Sequence, residues 1–437
     1  MTLRLDAPTL SLQQARKLSA RGSRDLFSLD SELDSAFLAN QPARFFARLA
    51  RDVSRNQHEF QTLVPHAAFV NGKPRTIYRV DPVDAVVWST VVAVLSAAME
   101  AGLPAQLYSY RRGRSQWGAA ADLTQFLRQH CVARPDPRTR GLYMLRRDVR
   151  RYDEHISTSE TSRLWSHLEA LTRGVELGLA AEARAFFERV FRPAVLLPDG
   201  STGPLPSGIP TGIPTQTIGC NLYLLEVDRE LGAVEGGFYA RFGDDILFAH
   251  ADDATVMRAA ERMDQIIASL GLTFNPDKNQ AFWLTGPGCP STHADFEPVR
   301  FLPYLGFDVG FDGARLRSDK RRKTWLSLKR RLDIAERLMR NAPQAERAEA
   351  LCGAVQSAFD TSSMMSDRYA GWLRMPLFSR QDLLQLDHHI TLEVAQRLSG
   401  RRGVRAFREY PPRMLHTVYG LPSLIALWED ARRRGRQ

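Results

Sequence analysis

The 437-residue chain has four cysteines, Cys131, Cys220, Cys289 and Cys352, and they stand far apart. Their spacing excludes a Cys-x-x-Cys zinc ribbon and argues against a disulfide-stapled secreted module. The first residues, MTLRLDAPTLSLQQARKLSARGSRD, contain no apolar core of signal-peptide length. No uncharged apolar run reaches the roughly 18 residues that mark a membrane span. The best candidate, AVVWSTVVAVLSAAM at 85–99, is short and is flanked by Asp84 and Glu100. There is no internal repeat and no low-complexity tract. The histidines, His388 and His389 included, lack metal-ligand spacing. These absences set the expectation of a soluble, cytoplasmic, globular chain with no membrane partner.

Lys and Arg number 59 against 49 Asp and Glu, a net charge of +10. Such an excess suits a polyanion partner without requiring one. Hydrophobic residues at 44% and charged residues at 25% exclude a mainly disordered chain. At roughly 100–200 residues per domain, the length predicts two to four compact units.

Periodicity places the elements. SLDSELDSAFLA and QPARFFARLARDVSR read as helices, RTIYRV (75–80) as a strand, and 82–101 as a long apolar helix. GLYMLRRDV reads as a strand that ends at a carboxylate, Asp148. The Asp-Gly of PAVLLPDGSTGP signals a hairpin, and IPTQTIGCNLYLLEVDREL a helix. GFYARFGDDILFAH reads as a β-hairpin, and ATVMRAAERMDQIIASLGL as an amphipathic helix ending at Gly271. TFNPDKNQAFWL and VRFLPYLGFDVG read as short strands. From Ser318 onward the chain turns helical and Arg-rich.

Asp244 and Asp245 sit side by side at the tip of the expected hairpin, between Phe242 and Ile246-Leu247-Phe248. Adjacent carboxylates repel each other and resist burial, and cations are the cheapest compensation. Hard divalent ions bind through one or two carboxylates plus substrate phosphates. A pair of ions about 3.5–4 Å apart clamps the attacking and leaving oxygens of an in-line displacement. Taken alone, the pair reads equally well as a polar turn facing water.

The order of the segments narrows this. D-V-R-R-Y-D-E-H-I from Asp148 is followed by G-I-P-T-G-I-P-T-Q-T-I-G-C-N-L-Y, then Y-A-R-F-G-D-D-I-L-F, G-L-T-F-N-P-D-K-N and F-L-P-Y-L-G-F. Upstream stand G-K-P-R-T-I and Y-S-Y-R-R-G-R-S. This series, over roughly residues 70–310, resembles the reverse transcriptases, particularly the bacterial branch of group II intron, retron, diversity-generating and unclassified enzymes. The resemblance implies an α+β right-hand polymerase fold with fingers, an antiparallel-sheet palm and a helical thumb. It implies a helical extension at 1–60, fingers and the start of the palm at 61–145, a palm at 146–314 with a finger insertion at about 160–205, a basic thumb at 315–400 and a helical tail at 401–437.

By the same resemblance, Asp148, Asp244 and Asp245 match the catalytic aspartates that hold two Mg²⁺ ions (Mn²⁺ serves as a substitute), with Val149 beside them as a backbone ligand. Lys73 and Arg75 match finger cations on the incoming triphosphate. Lys278 of NPDKN matches a Lys near the leaving pyrophosphate, and an exposed strand-end Lys is the alternative. Tyr304, Leu305 and Gly306 match a hairpin that grips the primer end, and Tyr304 reads equally as sheet core.

The chain departs from the family at three places. Gly243 precedes the Asp pair where a small residue such as Ala is usual. The bulky residue that excludes a ribose 2′-hydroxyl is replaced by Asp153, with Tyr152 one position earlier. T-G-I-P-T-Q-T stands for Q-G-x-x-x-S-P and puts Gln216 near the nascent pair. Tyr152 as the sugar wall and Asp153 as an acceptor for a ribose hydroxyl are both open.

Between Arg315 and Arg340 there are eleven Lys or Arg against three acids, with Trp325, Leu328, Leu332, Ala335 and Leu338 at helical spacing. Arg321, Arg322, Lys323, Lys329 and Arg330 are candidate phosphate contacts on this cationic face. Arg111, Arg112 and Arg114 are further candidates.

The resemblance therefore implies an RNA-directed DNA polymerase that adds dNTPs to a primer on an RNA template, and a DNA product. No signature of a nuclease domain follows the thumb. By analogy with unclassified bacterial relatives, the RNA is expected to be a structured non-coding RNA and the role antiphage defence. A homo-oligomer is compatible with the sequence. The competing readings are a polymerase with relaxed templating or RNA synthesis, and a non-catalytic RNA-binding splicing cofactor.

Overall fold

The computed structural model describes residues 4–11, 13, 40–70, 73–180, 182–286, 288–289, 295–359, 371–375 and 377–434. The helix expected over SLDSELDSAFLA lies outside them. Contacts divide the chain into two compact units: Met1–Arg114 with Leu145–Gln280, and Ser115–Met144 with Ala281–Gln437.

The first unit opens with α1 (Ala43–Ser54), which buries Phe46, Leu49, Ala50 and Val53 at the expected helical spacing. β1 (Val64–Val70) and β2 (Lys73–Arg79) form an antiparallel ribbon. α2 (Pro82–Met99) starts where Asp81 caps the amides of Val83 and Asp84 and Pro82 fills the first turn. With the short turn after it, Pro82–Gly102 is long and apolar enough to cross a membrane by length and composition, and 56% of that window is buried inside the protein. The helix matches the one expected over 82–101; the uncharged stretch within it, 85–99, is the part too short to span a bilayer. The Asp84 carboxylate in its first turn is satisfied inside, by His58 Nε2 and the Gln61 amide, both at 2.8 Å. Trp88 Nε1 donates to the Val190 carbonyl at 2.9 Å, which fixes α2 within the core.

The chain then enters the second unit with α3 (Gln116–Ala133) and returns along β3 (Leu142–Asp148). Back in the first unit come α4 (Tyr152–His155), α5 (Arg163–Thr172), α6 (Ala183–Phe191) and the small ladder of β4 (Val195–Leu196) with β5 (Thr202–Gly203). The single helix expected after Pro214 breaks at Leu224 into α7 (Gln216–Tyr223) and α8 (Leu225–Gly232). β6 (Phe238–Phe242) and β7 (Asp245–His250) make the expected hairpin, with β3 next to β7. Both strands are buried on both faces over most of their length. α9 (Asp253–Ser269) closes the set with Val256, Ala259, Ala260, Met263, Ile266 and Ile267 inside.

The second unit continues with β8 (Gln280–Leu284) and the parallel β9 (Glu297–Val299). β10 (Leu302–Tyr304), β11 (Phe307–Gly310) and β12 (Gly313–Leu316) form an antiparallel three-stranded sheet. α10 (Ser318–Leu338), α11 (Gln344–Phe359), α12 (Arg380–Ser399), α13 (Pro412–Thr417) and α14 (Leu424–Arg434) complete it. The apolar stripe read along α10 is shorter than the spacing suggested. Thr324, Leu328 and Leu332 are buried, whereas Leu338 is 77% exposed.

Candidate functional site

Within the first unit, β3 and the β6–β7 hairpin bring the three aspartates singled out in the sequence to one place. Phe242 pairs with Asp245, so Gly243 and Asp244 form a two-residue loop. Gly243 takes φ +67°, a conformation glycine adopts without the Cβ penalty. The loop is stitched to the end of β3 by the Val149 amide, which donates to the Asp244 carbonyl at 3.1 Å. Val149 itself is buried.

Each acid has its own environment. Asp245 accepts from Arg146 Nε at 3.0 Å and Nη2 at 2.5 Å, a bidentate clamp. Arg146 stands two residues before Asp148 and therefore on the same face of β3. Asp148 accepts from Lys278 Nζ at 2.5 Å, and Asn275 Nδ2 lies 3.5 Å from its other oxygen. The Asn275 amide also donates to the Asp148 carbonyl at 2.7 Å. Asp244 is half-buried. Its pKa is raised to about 6, first by burial, then by the neighbouring Asp148, with a smaller push from Asp245.

Behind the loop is a fully buried ion pair. Arg241 Nε and Nη2 reach Asp228 at 2.7 and 2.6 Å, and Tyr239 donates to the same carboxylate at 2.7 Å. The other guanidinium protons go to the carbonyls of Cys220, Asn221 and Gly243, the last at 3.0 Å. Burial works against the Arg241 charge, but Asp228 outweighs it and holds the pKa above its ordinary value. Every donor is used, which is what a buried charge requires. Asn221 is in turn fixed to Ser109, through the Ser109 carbonyl at 2.9 Å and hydroxyl at 3.0 Å.

A fourth acid, Asp153, stands on α4. Asp153 Oδ2 accepts from Thr211 Oγ1 at 3.1 Å and Gln216 Nε2 at 3.3 Å. Its carbonyl accepts from the Ile209 amide at 3.3 Å. This close approach needs Gly208, at φ +84°, where a Cβ would stand 2.9 Å from the Asp153 carbonyl oxygen. Tyr110 keeps 55% of its surface exposed. The pKa of its phenol is raised, by burial first and then by Cys220, Asp244 and Asp153. Cys220 is raised by burial and by the same two acids. Asp153 and Asp244 thus act on a common pair of groups.

The remaining expected positions divide. Tyr152 is 4% exposed and its hydroxyl donates to the Cys220 carbonyl at 2.7 Å, so it is a core side chain rather than a wall over a ligand. Arg75 is exposed on β2, and Lys73 starts that strand with its side chain outside the description. Arg111 is not a surface contact: its guanidinium is spent on Glu100 and on the carbonyls of Pro104 and Leu107. Arg112 is exposed, and Arg114 lies over the Tyr108 ring at 5.5 Å.

In the second unit Tyr304 is fully buried, so the core reading holds for it. Leu305 and Gly306 form the tight loop between β10 and β11, with φ +47° and +84°. Lys320 lies over the Phe307 ring at 3.8 Å, and burial lowers its pKa to about 8. Arg321, Arg322, Lys323 and Arg330 are exposed along α10, whereas Lys329 faces Glu393 at 3.6 Å.

Sequence reasoning missed Arg146, Asn275, Thr211, Tyr110 and the Asp228–Arg241 pair. Arg146 was legible, since strand period 2 puts it beside Asp148. Asp228 was not, because an acid in L-E-V-D-R-E-L reads as a solvent face. Among the described residues, no group of three or more His, Cys, Asp or Glu side chains is arranged to hold a metal ion. Arg146 and Lys278 instead hold two of the three carboxylates.

No protein-family model matches the chain, and no curated protein does. Among solved structures, telomerase from Candida tropicalis with a TWJ fragment of telomeric RNA is 13% identical at a TM-score of 0.44, over 85% of this chain and 64% of that one. Telomerase from Candida albicans with a TWJ fragment of telomeric RNA is 11% identical at 0.43, over 88% and 63%. Apo telomerase from Candida tropicalis truncated from the C-terminal domain is 12% identical at 0.43, over 59% and 55%. The chain spans between 55% and 64% of the length of these three proteins. Likeness at this level carries no argument about function.

Proposed function

We propose that this chain is a nucleotidyltransferase of reverse-transcriptase type that extends a primer on an RNA template. The observation that supports this reading most is the meeting of Asp148, Asp244 and Asp245 at one hairpin tip, in the motif order that resembles the family. The three carboxylates are hard oxygen donors of the kind Mg²⁺ takes, and the pKa of Asp244 is raised by burial and then by Asp148. Asp148, Asp244 and Asp245 would hold the ions, and Arg146 and Lys278 would exchange those acids for substrate phosphate. Bound divalent ions would supply charge neutralisation and an activated primer hydroxyl. The chain's own part is positioning: Arg241 holds the loop carbonyl of Gly243 behind the acids. Lys278 would meet charge on the leaving group.

The finer parts of the reading rest on the resemblance alone. They are a bacterial-type enzyme with fingers, palm and thumb, a structured RNA partner, dNTP substrates and a DNA product, and a place in antiphage defence. The non-catalytic RNA-binding alternative predicts no turnover. Single-nucleotide primer extension decides between them. The native chain extends an RNA-templated primer, and Asp244→Ala with Asp245→Ala removes extension while leaving the circular dichroism spectrum unchanged. Extension by that double variant at the native rate would end the assignment.

A further inference from the structure

We propose that the second unit carries a binding pocket for a phosphate dianion at the junction of α10 and α11. The cavity has a volume of about 250 Å³ and is lined by Asp333, Glu336, Arg337, Arg340 and Arg347. Asp333, Glu336 and Arg337 share one face of α10 at i, i+3 and i+4. Arg340 follows in the turn beyond that helix, and Arg347 stands near the start of α11.

The two acids are already neutralised. Arg397 of α12 is 14% exposed and reaches Asp333 at 2.8 Å, Glu336 at 2.9 Å and Glu393 at 3.0 Å. Lys329 adds a cation to Glu393 at 3.6 Å. Among the described residues, no carboxylate pairs with Arg337, Arg340 or Arg347. The enclosed Nε of Arg347 meets no acceptor, so that guanidinium is not spent inside the protein. Around the cavity, Lys329, Arg337, Arg340, Arg347 and Arg397 face only three acids, an excess of two positive charges.

Three guanidinium groups on one cavity repel one another, and an anion between them removes that cost. Their planar forks match phosphate oxygens in bidentate geometry. The volume lies below the roughly 300–1,000 Å³ of pockets for drug-sized ligands, which suits a small anion. A phosphate monoester carries about −1.5 to −2 at pH 7 and so balances the excess, whereas an internal phosphodiester carries a single charge. The C-terminal carbonyls of α10 would oppose an anion, but they are bonded. The amides of Met339, Arg340 and Ala342 donate to the carbonyls of Ala335, Arg337 and Met339 at 3.1, 3.4 and 3.1 Å. Free inorganic phosphate and the 5′-phosphate end of a nucleic acid both present this dianion. The pocket residues belong to the second unit and the three aspartates to the first, so either assignment can fail without the other.

Calorimetric titration of the full chain at fixed ionic strength tests this. The probes are inorganic phosphate, a short RNA with a 5′-phosphate and the same RNA with a 5′-hydroxyl. Inorganic phosphate binds the native chain saturably, and Arg337→Ala with Arg340→Ala weakens it at least about tenfold. Both side chains are exposed, so the fold should survive their loss. If it does not, Arg340→Gln is read against the same mark. A 5′-phosphate that tightens RNA binding in the native chain but not in the variant makes the nucleic-acid end the source. Equal binding of the two RNAs, with phosphate still bound, makes it the free anion. Phosphate binding that the variant leaves unchanged overturns the proposal. So does a native chain that neither takes up phosphate nor prefers the phosphorylated RNA.

Discussion

Asp244 and Arg241 lie three residues apart and keep charge inside the protein in opposite ways. Arg241 is fully buried with every donor bonded, whereas Asp244 is half-buried beside another acid and resists ionising. Asp244 has a folded pKa of about 6 against an ordinary value of 3.8. The folded state therefore favours the protonated acid. Its contribution is most favourable below pH 3.8 and is lost as pH rises through about 6. Asp244→Asn should therefore stabilise the metal-free protein at pH 8 by about 1–2 kcal/mol, after allowing for partial solvent screening. That gain should shrink below pH 6, as urea denaturation at pH 8 and pH 5 would show. Breaking the buried pair does the reverse: Asp228→Ala leaves Arg241 uncompensated and should cost about 3–5 kcal/mol, read by the same method. The acids were legible from their spacing and apolar flanks. Their supports were not, because Asp228 and Arg241 belong to a helix and a strand whose pairing only the fold reveals. Likewise Arg111 read as a surface contact, and packing put its guanidinium inside, whereas for Tyr304 the sequence left primer grip and sheet core open and packing chose the core.

At the scale of elements, period and turn chemistry carried far. The β6–β7 hairpin, β3 ending at Asp148, α2 and α9 all lie where alternation, capping and glycine placed them. The break between α7 and α8 was hidden, since nothing in N-L-Y-L-L-E-V interrupts helical spacing. On α10 the charge pattern was readable but the extent of burial was not. Leu332 is the last fully buried residue of the helix, and Leu338 lies beyond it. The exposed trio Arg321, Arg322 and Lys323 gives that helix a testable task. Replacing all three with Ala should weaken RNA binding and flatten the plot of log K against log salt by roughly 2–3 units of slope. An unchanged slope in fluorescence anisotropy would remove α10 from the nucleic-acid surface.

At the scale of the molecule, the sequence was read as consecutive segments, but the second unit joins 115–144 to 281–437. Such an assembly is set by packing between distant stretches, for which a linear pattern carries no mark. The candidate site escapes this difficulty, since Asp148, Asp153, Asp244, Asp245 and Lys278 all belong to the first unit. The central claim is that three carboxylates, now shared with Arg146 and Lys278, form a divalent-cation site. Titration of the metal-free chain with Mn²⁺, followed by electron paramagnetic resonance, tests it most directly. The native protein should take up Mn²⁺ in competition with Mg²⁺, and Asp148→Ala and Asp244→Ala should each weaken uptake at least about tenfold. Identical Mn²⁺ isotherms for the native chain and both variants would contradict the account.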